Sequence, residues 1–288
     1  MASLPVTSSP QPDPSGSVRR ARWSRLYAFL TLVLLPIAMV SSPAVIQPDR
    51  WHFVRIHGHS IYYAVQGNGP TLVLLHGGGD SGAHSFEQQF TIFSAHHRIV
   101  APDQVGQGHT PDVPGPLSYT RMMQDTAAVL QLLNLRNVDV IGFSDGGILA
   151  LMLAVRHPEL VRRLVISGVN IAPEGLTSEQ REGLRAVESP RPKTVDQKLT
   201  QLWLNSPTPA ELNLALLSTI RKPVLVISGD RDAITLEHTL QIYRALPQAE
   251  LCILPGTDHG TFSGRPAWIN PIISAFLDRP ESAHESVH

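Results

Sequence analysis

Six short apolar runs, separated by helical stretches, constrain the fold of this 288-residue chain more than any other feature. The runs are nearly continuous rather than alternating, as expected for strands buried on both faces of a parallel sheet. In chain order they read TLVLLHG, HRIVAPD, VDVIGFS, LVRRLVISG, PVLVISGD and ELCILPG. The stretches between them, such as SYTRMMQDTAAVLQLLN and GGILALMLAVRHP, have helical patterns. This alternation predicts an α/β domain with a doubly wound, mostly parallel sheet and helices on both faces.

Two further segments complete the predicted domain, which covers residues 51–280. HFVRIHG and SIYYAVQG alternate and end in glycine, as an antiparallel hairpin at a sheet edge would, so we expect eight strands in all. The connection over residues 170–220 is long and contains two helical patches broken by prolines. Because structureless loops of that length are uncommon in compact domains, we interpret it as a small helical lid. The alternative is a pair of surface helices that cover nothing.

The amino-terminal residues differ in composition from the rest of the chain. Residues 1–25 are rich in Pro, Ser and Arg and are predicted to form a disordered basic tail. Residues 26–46 carry no charge, which is typical of a signal peptide core or, without cleavage, of a membrane anchor. Both interpretations predict a domain outside the cytoplasm, either exported or held at the membrane. A buried helix is the third alternative.

Composition excludes several classes of partner and cofactor. The chain has 23 basic and 24 acidic residues and a formal net charge of −1, so we expect no nucleic-acid partner. Its one cysteine excludes an internal disulfide and a zinc site built of thiolates. Most of the histidines lie at the edges of predicted loops, so no metal site is predicted. The expected partner is a small molecule.

Ser144 lies in the pattern Gly-Phe-Ser-Asp-Gly, directly after a buried run and directly before an apolar helical stretch. A strand-to-helix turn this sharp leaves no room for side chains two positions away, which explains Gly142 and Gly146. The hydroxyl would then stand at a helix amino terminus, where free N–H groups favour developing negative charge. The pattern alone is weak evidence and also fits a plain glycine turn. Its context predicts that Ser144 is a nucleophile.

A serine nucleophile needs a base, and the base needs a carboxylate that holds it in one tautomer. His259 follows the last apolar run, while Asp230 and Asp232 follow the run before it. We favour Asp232 over Asp230, because two further residues carry its carboxylate out of the strand and toward the site. Asp258 is a poor partner for His259, since adjacent side chains in an extended loop diverge.

Attack on a carbonyl creates an oxyanion. Two hydrogen-bond donors must already be in place to stabilise it. The backbone N–H of Asp145 is one candidate. The stretch HGGG, after the first buried run, supplies the other, for which we favour Gly78. The Asp145 side chain should point aside, because a carboxylate facing the hole would oppose the oxyanion.

Two nearby patterns look functional but are interpreted as structural. Ser81, in GDSG, resembles the nucleophile segment of trypsin-like proteases, yet no succession of antiparallel strands surrounds it. His109 follows DQVGQG and is expected to build the turn after a strand. A direct substrate contact is the alternative for His109.

The motifs HGGG, DQVGQG, GFSDGG, GDRD and GTDHG, in this order and at these intervals, resemble the α/β-hydrolase family over about residues 51–277. The form Gly-x-Ser-Asp-Gly-Gly is similar to the biphenyl-hydrolase-like group, which includes valacyclovir hydrolase and related esterases. The resemblance implies a triad of Ser144, Asp232 and His259 and no cofactor. It argues against dehalogenases and epoxide hydrolases of the same fold, which need a carboxylate nucleophile.

The sequence therefore predicts a serine hydrolase that cleaves carboxylic esters through an acyl-enzyme. Carbon–carbon bond hydrolases and cofactor-free perhydrolases keep the same triad and are alternatives. A catalytically silent domain that binds a ligand or partner is another. The lid, with Trp203, would shape an apolar acyl pocket, although that tryptophan also suits the core.

Overall fold

A single mixed sheet organises residues 50–280, which are the residues that the computed structural model describes. Its strands are β1 (Arg50–Ile56), β2 (His59–Gln66), β3 (Thr71–Leu75), β4 (Arg98–Pro102), β5 (Val138–Phe143), β6 (Val161–Ser167), β7 (Val224–Gly229) and β8 (Ala249–Leu254). They lie in the order β1-β2-β4-β3-β5-β6-β7-β8. The pairs β1–β2 and β2–β4 are antiparallel, and every later pair is parallel. The predicted eight-stranded, mostly parallel sheet is confirmed.

Helices cover both faces of the sheet, as predicted. They are α1 (Gly82–Ser85), α2 (Glu87–Phe93), α3 (Tyr119–Leu132), α4 (Asp145–Arg156), α5 (Ser178–Ala186), α6 (Val195–Asn205), α7 (Leu214–Leu217), α8 (Leu236–Ala245), α9 (Thr261–Gly264) and α10 (Pro266–Leu277). Buried side chains of α3, α4 and α8 join the apolar core on one face. Those of α2, α9 and α10 join the core on the other face. Burial of this apolar area is the main favourable contribution to folding.

Strand order explains where a site can form. The order changes direction at β3, which lies between β4 and β5. In open α/β sheets, ligands bind outside the carboxyl ends of the strands at such a switch point. The carboxyl end of β3 leads into the glycine-rich loop, and the neighbouring end of β5 leads into Ser144. Topology therefore brings the predicted nucleophile and the predicted oxyanion loop to one edge.

The connection over residues 170–220 contains α5, α6, α7 and a 3-10 turn at Pro173–Gly175. An antiparallel bridge between Leu176 and Ile234 ties its beginning to the loop after β7. Helix α6 begins with a capping box at Thr194 and Gln197, which satisfies N–H groups that would otherwise lack partners. The insertion is thus helical and attached beside the loop that carries the predicted acid.

No helix within residues 50–280 is both long enough and apolar enough to cross a membrane. The predicted basic tail (1–25) and the predicted signal peptide or anchor (26–46) lie outside the described residues.

Candidate active site

Ser144 occupies the sharp turn between β5 and α4. Its backbone has φ 51° and ψ −118°, a left-handed region that non-glycine residues rarely adopt. Such strain persists only where the surrounding structure imposes it, and it is concentrated at functional sites. Helix α4 starts at the next residue, so its first N–H groups lie beside the Ser144 hydroxyl without intrahelical acceptors.

The two glycines that flank Ser144 are required because other backbone atoms lie where their Cβ atoms would be. A Cβ atom on Gly142 would lie 2.4 Å from the carbonyl oxygen of Gly146. A Cβ atom on Gly146 would lie 1.9 Å from the carbonyl oxygen of Leu75, at the end of β3. Both distances are shorter than real Cβ contacts, and in each case the obstacle is backbone. The turn therefore excludes side chains at both positions, as the sequence indicated.

Ser144, His259 and Asp232 form one chain of hydrogen bonds across three loops. The Ser144 Oγ atom lies 3.0 Å from Nε2 of His259. Nδ1 of His259 lies 2.6 Å from Oδ1 of Asp232. The second bond places the proton on Nδ1, which leaves Nε2 as the acceptor for the serine hydroxyl. The geometry is that of a nucleophile, a general base and an orienting carboxylate.

The Asp232 carboxylate is buried and held by several donors. Oδ1 also accepts the backbone N–H of Ile234 at 3.0 Å, and Oδ2 accepts the Ser228 hydroxyl at 3.2 Å. Burial acts to raise the pKa of Asp232, but the hydrogen bond and charge of His259, together with the bonds from Ile234 and Ser228, leave this pKa below its ordinary value. Asp232 therefore stays ionised at neutral pH, as an orienting carboxylate must.

The other two aspartates near His259 serve the backbone. Asp230 is exposed, and its Oδ1 accepts the N–H of Thr257 at 3.1 Å. Oδ1 of Asp258 accepts the N–H of Gly260 at 2.9 Å. Neither is hydrogen-bonded to the imidazole in the described part of the chain. The structure thus brings His259 together with Asp232 and not with Asp230, in agreement with the preference drawn from strand length.

Side chains determine which N–H group of the HGGG loop faces the site. The N–H of Gly77 donates to Oγ of Ser85 at 3.3 Å, and the N–H of Gly79 donates to Oε1 of Gln107 at 2.7 Å. The N–H of Gly78 has no acceptor among residues 50–280, and Gly78 lines the cavity beside Ser144. Together with the N–H of Asp145, it supplies the two donors that an oxyanion needs.

Gln107 was missed by the sequence analysis, although its motif, DQVGQG, was noted. We predict that Gln107→Leu lowers kcat by about 10- to 100-fold with little change in KM, because a loop displaced by a fraction of an ångström weakens a bond made only in the transition state. Steady-state kinetics with p-nitrophenyl butyrate measures both constants.

Gln104→Leu is the matched control for this prediction. Gln104 is as buried as Gln107 and lies in the same loop, but its side-chain NH2 donates to Thr126 Oγ1 at 3.3 Å, whereas Gln107 accepts a glycine N–H. We expect it to affect stability more than turnover. Equal loss of kcat in the two variants would contradict a specific role for Gln107.

The Asp145 carboxylate is buried beside Gly78, where two side chains donate hydrogen bonds to it. Oδ1 accepts the Tyr119 hydroxyl at 2.7 Å, and both oxygens lie 3.0 Å from Nε1 of Trp203. Burial raises the pKa of Asp145, and the bonds from Trp203 and Tyr119 offset this only in part. Burial and the nearby carboxylate also raise the pKa of Tyr119 well above its ordinary value. Both carboxylate oxygens are therefore engaged by side-chain donors.

A cavity of about 160 Å³ opens beside the Ser144 hydroxyl and His259. Its apolar wall is formed by Leu176, Leu184 and Ile234, which cluster together, with Trp203 packed against them. The volume is well below the roughly 300–1,000 Å³ of sites for drug-sized ligands. Trp203 therefore shapes the pocket, and it also packs against the core, so both sequence-based interpretations of this residue apply.

The two patterns interpreted as structural have structural roles. Ser81 caps α1 by accepting the N–H of His84. His109 donates from its backbone N–H to the buried carboxylate of Asp103, which its Nδ1 also contacts at 2.9 Å, and its ring lies against Tyr62. Neither Ser81 nor His109 lines the cavity at Ser144. No cluster of three or more metal-ligating side chains occurs within residues 50–280.

Comparison with known proteins supports this description of the fold. The family model described as alpha/beta hydrolase fold matches residues 70–206. The chain is 40% identical over 110 residues to 2-hydroxymuconate semialdehyde hydrolase of Pseudomonas putida. That alignment covers 36% of this chain and 37% of the relative, so it spans little more than a third of that protein.

Solved structures share the architecture at low sequence identity. The enol-lactonase of Burkholderia xenovorans LB400 superposes with a TM-score of 0.67 at 20% identity, covering 79% of this chain and 100% of the other. A thermophilic esterase from Thermogutta terrifontis superposes with a TM-score of 0.65 at 19% identity, covering 79% and 98%. At such identities the likeness establishes the α/β-hydrolase fold and not the substrate.

Proposed function

We propose that this chain, which has the α/β-hydrolase fold, is a serine hydrolase that cleaves carboxylic esters. The observation that carries this proposal is the unbroken hydrogen-bond chain from Ser144 Oγ through His259 to Asp232, beside the unoccupied N–H of Gly78. A hydroxyl, a base and an oxyanion donor are the groups that acyl transfer requires.

The first half of the reaction forms an acyl-enzyme. Ser144 Oγ attacks the ester carbonyl carbon while its proton moves to Nε2 of His259. The carbonyl oxygen becomes an oxyanion, which accepts the N–H groups of Gly78 and Asp145. Asp232 stabilises the imidazolium ion without taking its proton. The tetrahedral intermediate then collapses, the bond to the alcohol oxygen breaks, and His259 protonates the departing alcohol.

The second half restores the enzyme. His259 removes a proton from a water molecule, and the resulting hydroxide attacks the acyl carbonyl at the same oxyanion donors. Collapse of this second intermediate breaks the bond to Ser144 Oγ, which regains its proton from His259. The carboxylic acid product leaves, and no cofactor or metal enters the sequence of steps.

Carbon–carbon bond hydrolysis is the second candidate, favoured by the 40% identity to 2-hydroxymuconate semialdehyde hydrolase over 110 residues. A muconate semialdehyde carries a carboxylate, and buried carboxylates require a cation or several donors. Among the described residues, no lysine or arginine lines the cavity beside Ser144, and of its two side-chain amides, Asn170 and Gln180, the first already donates to the carbonyl of Ala172. The pocket therefore suits an uncharged acyl group better than a dienoate.

Parallel assays separate these two candidates. We expect the protein to release p-nitrophenol from p-nitrophenyl acetate and butyrate and to leave a 2-hydroxy-6-oxo-dienoate essentially unchanged, monitored by the loss of its visible absorbance. Faster turnover of the dienoate would favour the carbon–carbon hydrolase. Absence of both activities, with no labelling of Ser144 by a fluorophosphonate, would indicate a domain that only binds.

A further inference from the structure

The buried carboxylate of Asp145 joins two parts of the molecule that are distant in sequence. Its first partner, Tyr119, begins α3, which packs against α4 in the core. Its second partner, Trp203, lies on α6 in the lid insertion. Asp145 itself follows the nucleophile directly. One side chain therefore links the turn at Ser144 to the lid.

The hydrogen bond from Trp203 to Asp145 is strong because its acceptor is a buried carboxylate. A buried carboxylate that loses a donor is left with unsatisfied acceptor capacity in a region of low dielectric constant. Hydrogen bonds to a charged acceptor are also about twice as strong as those between neutral groups. The Trp203 N–H lies at 3.0 Å from both oxygens of Asp145, so a displacement of the indole would leave Oδ2 without a side-chain donor and Oδ1 with Tyr119 alone.

The absence of a side chain at Gly78 permits this arrangement. A Cβ atom there would lie 2.4 Å from Oδ2 of Asp145 and 2.6 Å from Cζ2 of Trp203. The indole therefore lies directly over the oxyanion loop and at the edge of the cavity. A second attachment of α6, the ion pair of Lys198 with Asp112, is one turn or more away along the helix and outside the cavity lining.

We infer that the Asp145 carboxylate is a positioning group that fixes the lid tryptophan over the nucleophile and thereby restricts the substrate to short, uncharged acyl groups. With Trp203 fixed, the pocket between it and the cluster of Leu176, Leu184 and Ile234 stays at about 160 Å³. We expect an acetyl or butyryl chain to fit this volume and an octanoyl chain to bind better once the indole is displaced. The substrate class rests on the proposed esterase function, whereas the lid attachment does not.

Two variants test the attachment. Asp145→Asn keeps the shape but places an NH2 group against one of the donors, and Trp203→Phe keeps an aromatic ring but removes the N–H. We expect each to raise the ratio of kcat/KM for p-nitrophenyl octanoate over butyrate by about tenfold, the scale of discrimination that one methylene provides in a hydrophobic pocket. Hydrogen–deuterium exchange should be faster across Val195–Asn205 in both variants than in the wild type.

Tyr119→Phe is the matched control, because it removes a donor to the same carboxylate from a residue outside the lid. We expect it to leave the chain-length ratio and the exchange of α6 at wild-type values. Unchanged exchange of α6 in Asp145→Asn and Trp203→Phe would overturn the attachment. Faster exchange with an unchanged ratio would overturn the acyl restriction. If the wild type hydrolyses no ester, the proposed function fails, and the exchange data still decide whether Asp145 holds the lid.

Discussion

Ser144→Ala is expected to lower kcat for p-nitrophenyl butyrate by roughly a millionfold, the loss known for removal of a serine nucleophile that works with a histidine. The remaining rate would come from the oxyanion donors, which still polarise the ester carbonyl. KM should change little, since the hydroxyl contributes more to the transition state than to ground-state binding. A burst of p-nitrophenol in the wild type, and its absence in the variant, would identify the acyl-enzyme.

Ser81, the serine of the pattern GDSG, provides the control for Ser144. Ser81→Ala removes the cap of α1 and should cost about 1 kcal/mol of stability, yet turnover should remain near that of the wild type. Thermal unfolding of all three proteins would show that Ser144→Ala is folded. If Ser144→Ala still hydrolysed esters, Ser144 would not be the nucleophile, and the proposed mechanism would be wrong.

Much of the fold and the central residues of the site could be predicted from the sequence, because both depend on local patterns. Continuous apolar runs indicate strands buried on both faces, and the chain order of such strands determines which loops meet at the carboxyl edge. Ser144 directly follows β5, and Asp232 and His259 lie in the loops after β7 and β8, so the carboxyl ends of three strands bring them to one edge of the sheet. The glycines at 142 and 146 follow from the same local argument about a sharp turn.

The side chains that hold the loops of the site in place could not be predicted from the sequence, because their contacts depend on how the loops pack in three dimensions. Nothing in HGGG shows that Gln107 accepts one of its N–H groups, since the two segments meet only after folding. The hydrogen-bond donors to the Asp145 carboxylate could not be predicted either. A tyrosine at the start of one helix and a tryptophan on the lid carry no pattern that points to a common carboxylate. Two neutral donors, rather than a cation, hold this buried carboxylate.

The branch of the family and the location of the protein remain predictions. The likeness to the biphenyl-hydrolase-like group rests on the Asp-Gly-Gly that follows Ser144. In the structure, the aspartate of this motif is fully engaged by Trp203 and Tyr119. We therefore assign it to lid placement and not to direct contact with substrate. Export or anchoring through residues 26–46 remains a proposal that amino-terminal sequencing of the mature protein would test.

Asp232→Asn is the second change with a large expected effect, a loss of about ten-thousandfold in kcat near neutral pH. An amide at this position can donate to Nδ1 of His259, which moves the imidazole proton to Nε2 and removes the acceptor for the Ser144 hydroxyl. The substitution is close to isosteric, and the asparagine oxygen in the place of Oδ2 still accepts the Ser228 hydroxyl, whereas the N–H of Ile234 loses the acceptor that it shares with His259. We therefore expect some loss of stability and a far larger loss of turnover. Steady-state kinetics with the butyrate ester, alongside thermal unfolding, measures both.

Asp230→Asn makes this prediction specific, because the same chemical change occurs two residues away. The Asp230 carboxylate is exposed and accepts the N–H of Thr257, a bond that an asparagine oxygen can also make. Turnover should therefore remain near the wild-type value. If Asp230→Asn lost more activity than Asp232→Asn, the acid that orients His259 would be Asp230, and the bond of 2.6 Å from His259 to Asp232 would not reflect the working enzyme. The order of the two losses decides between the carboxylates, since only one of them can control the tautomer of a single imidazole.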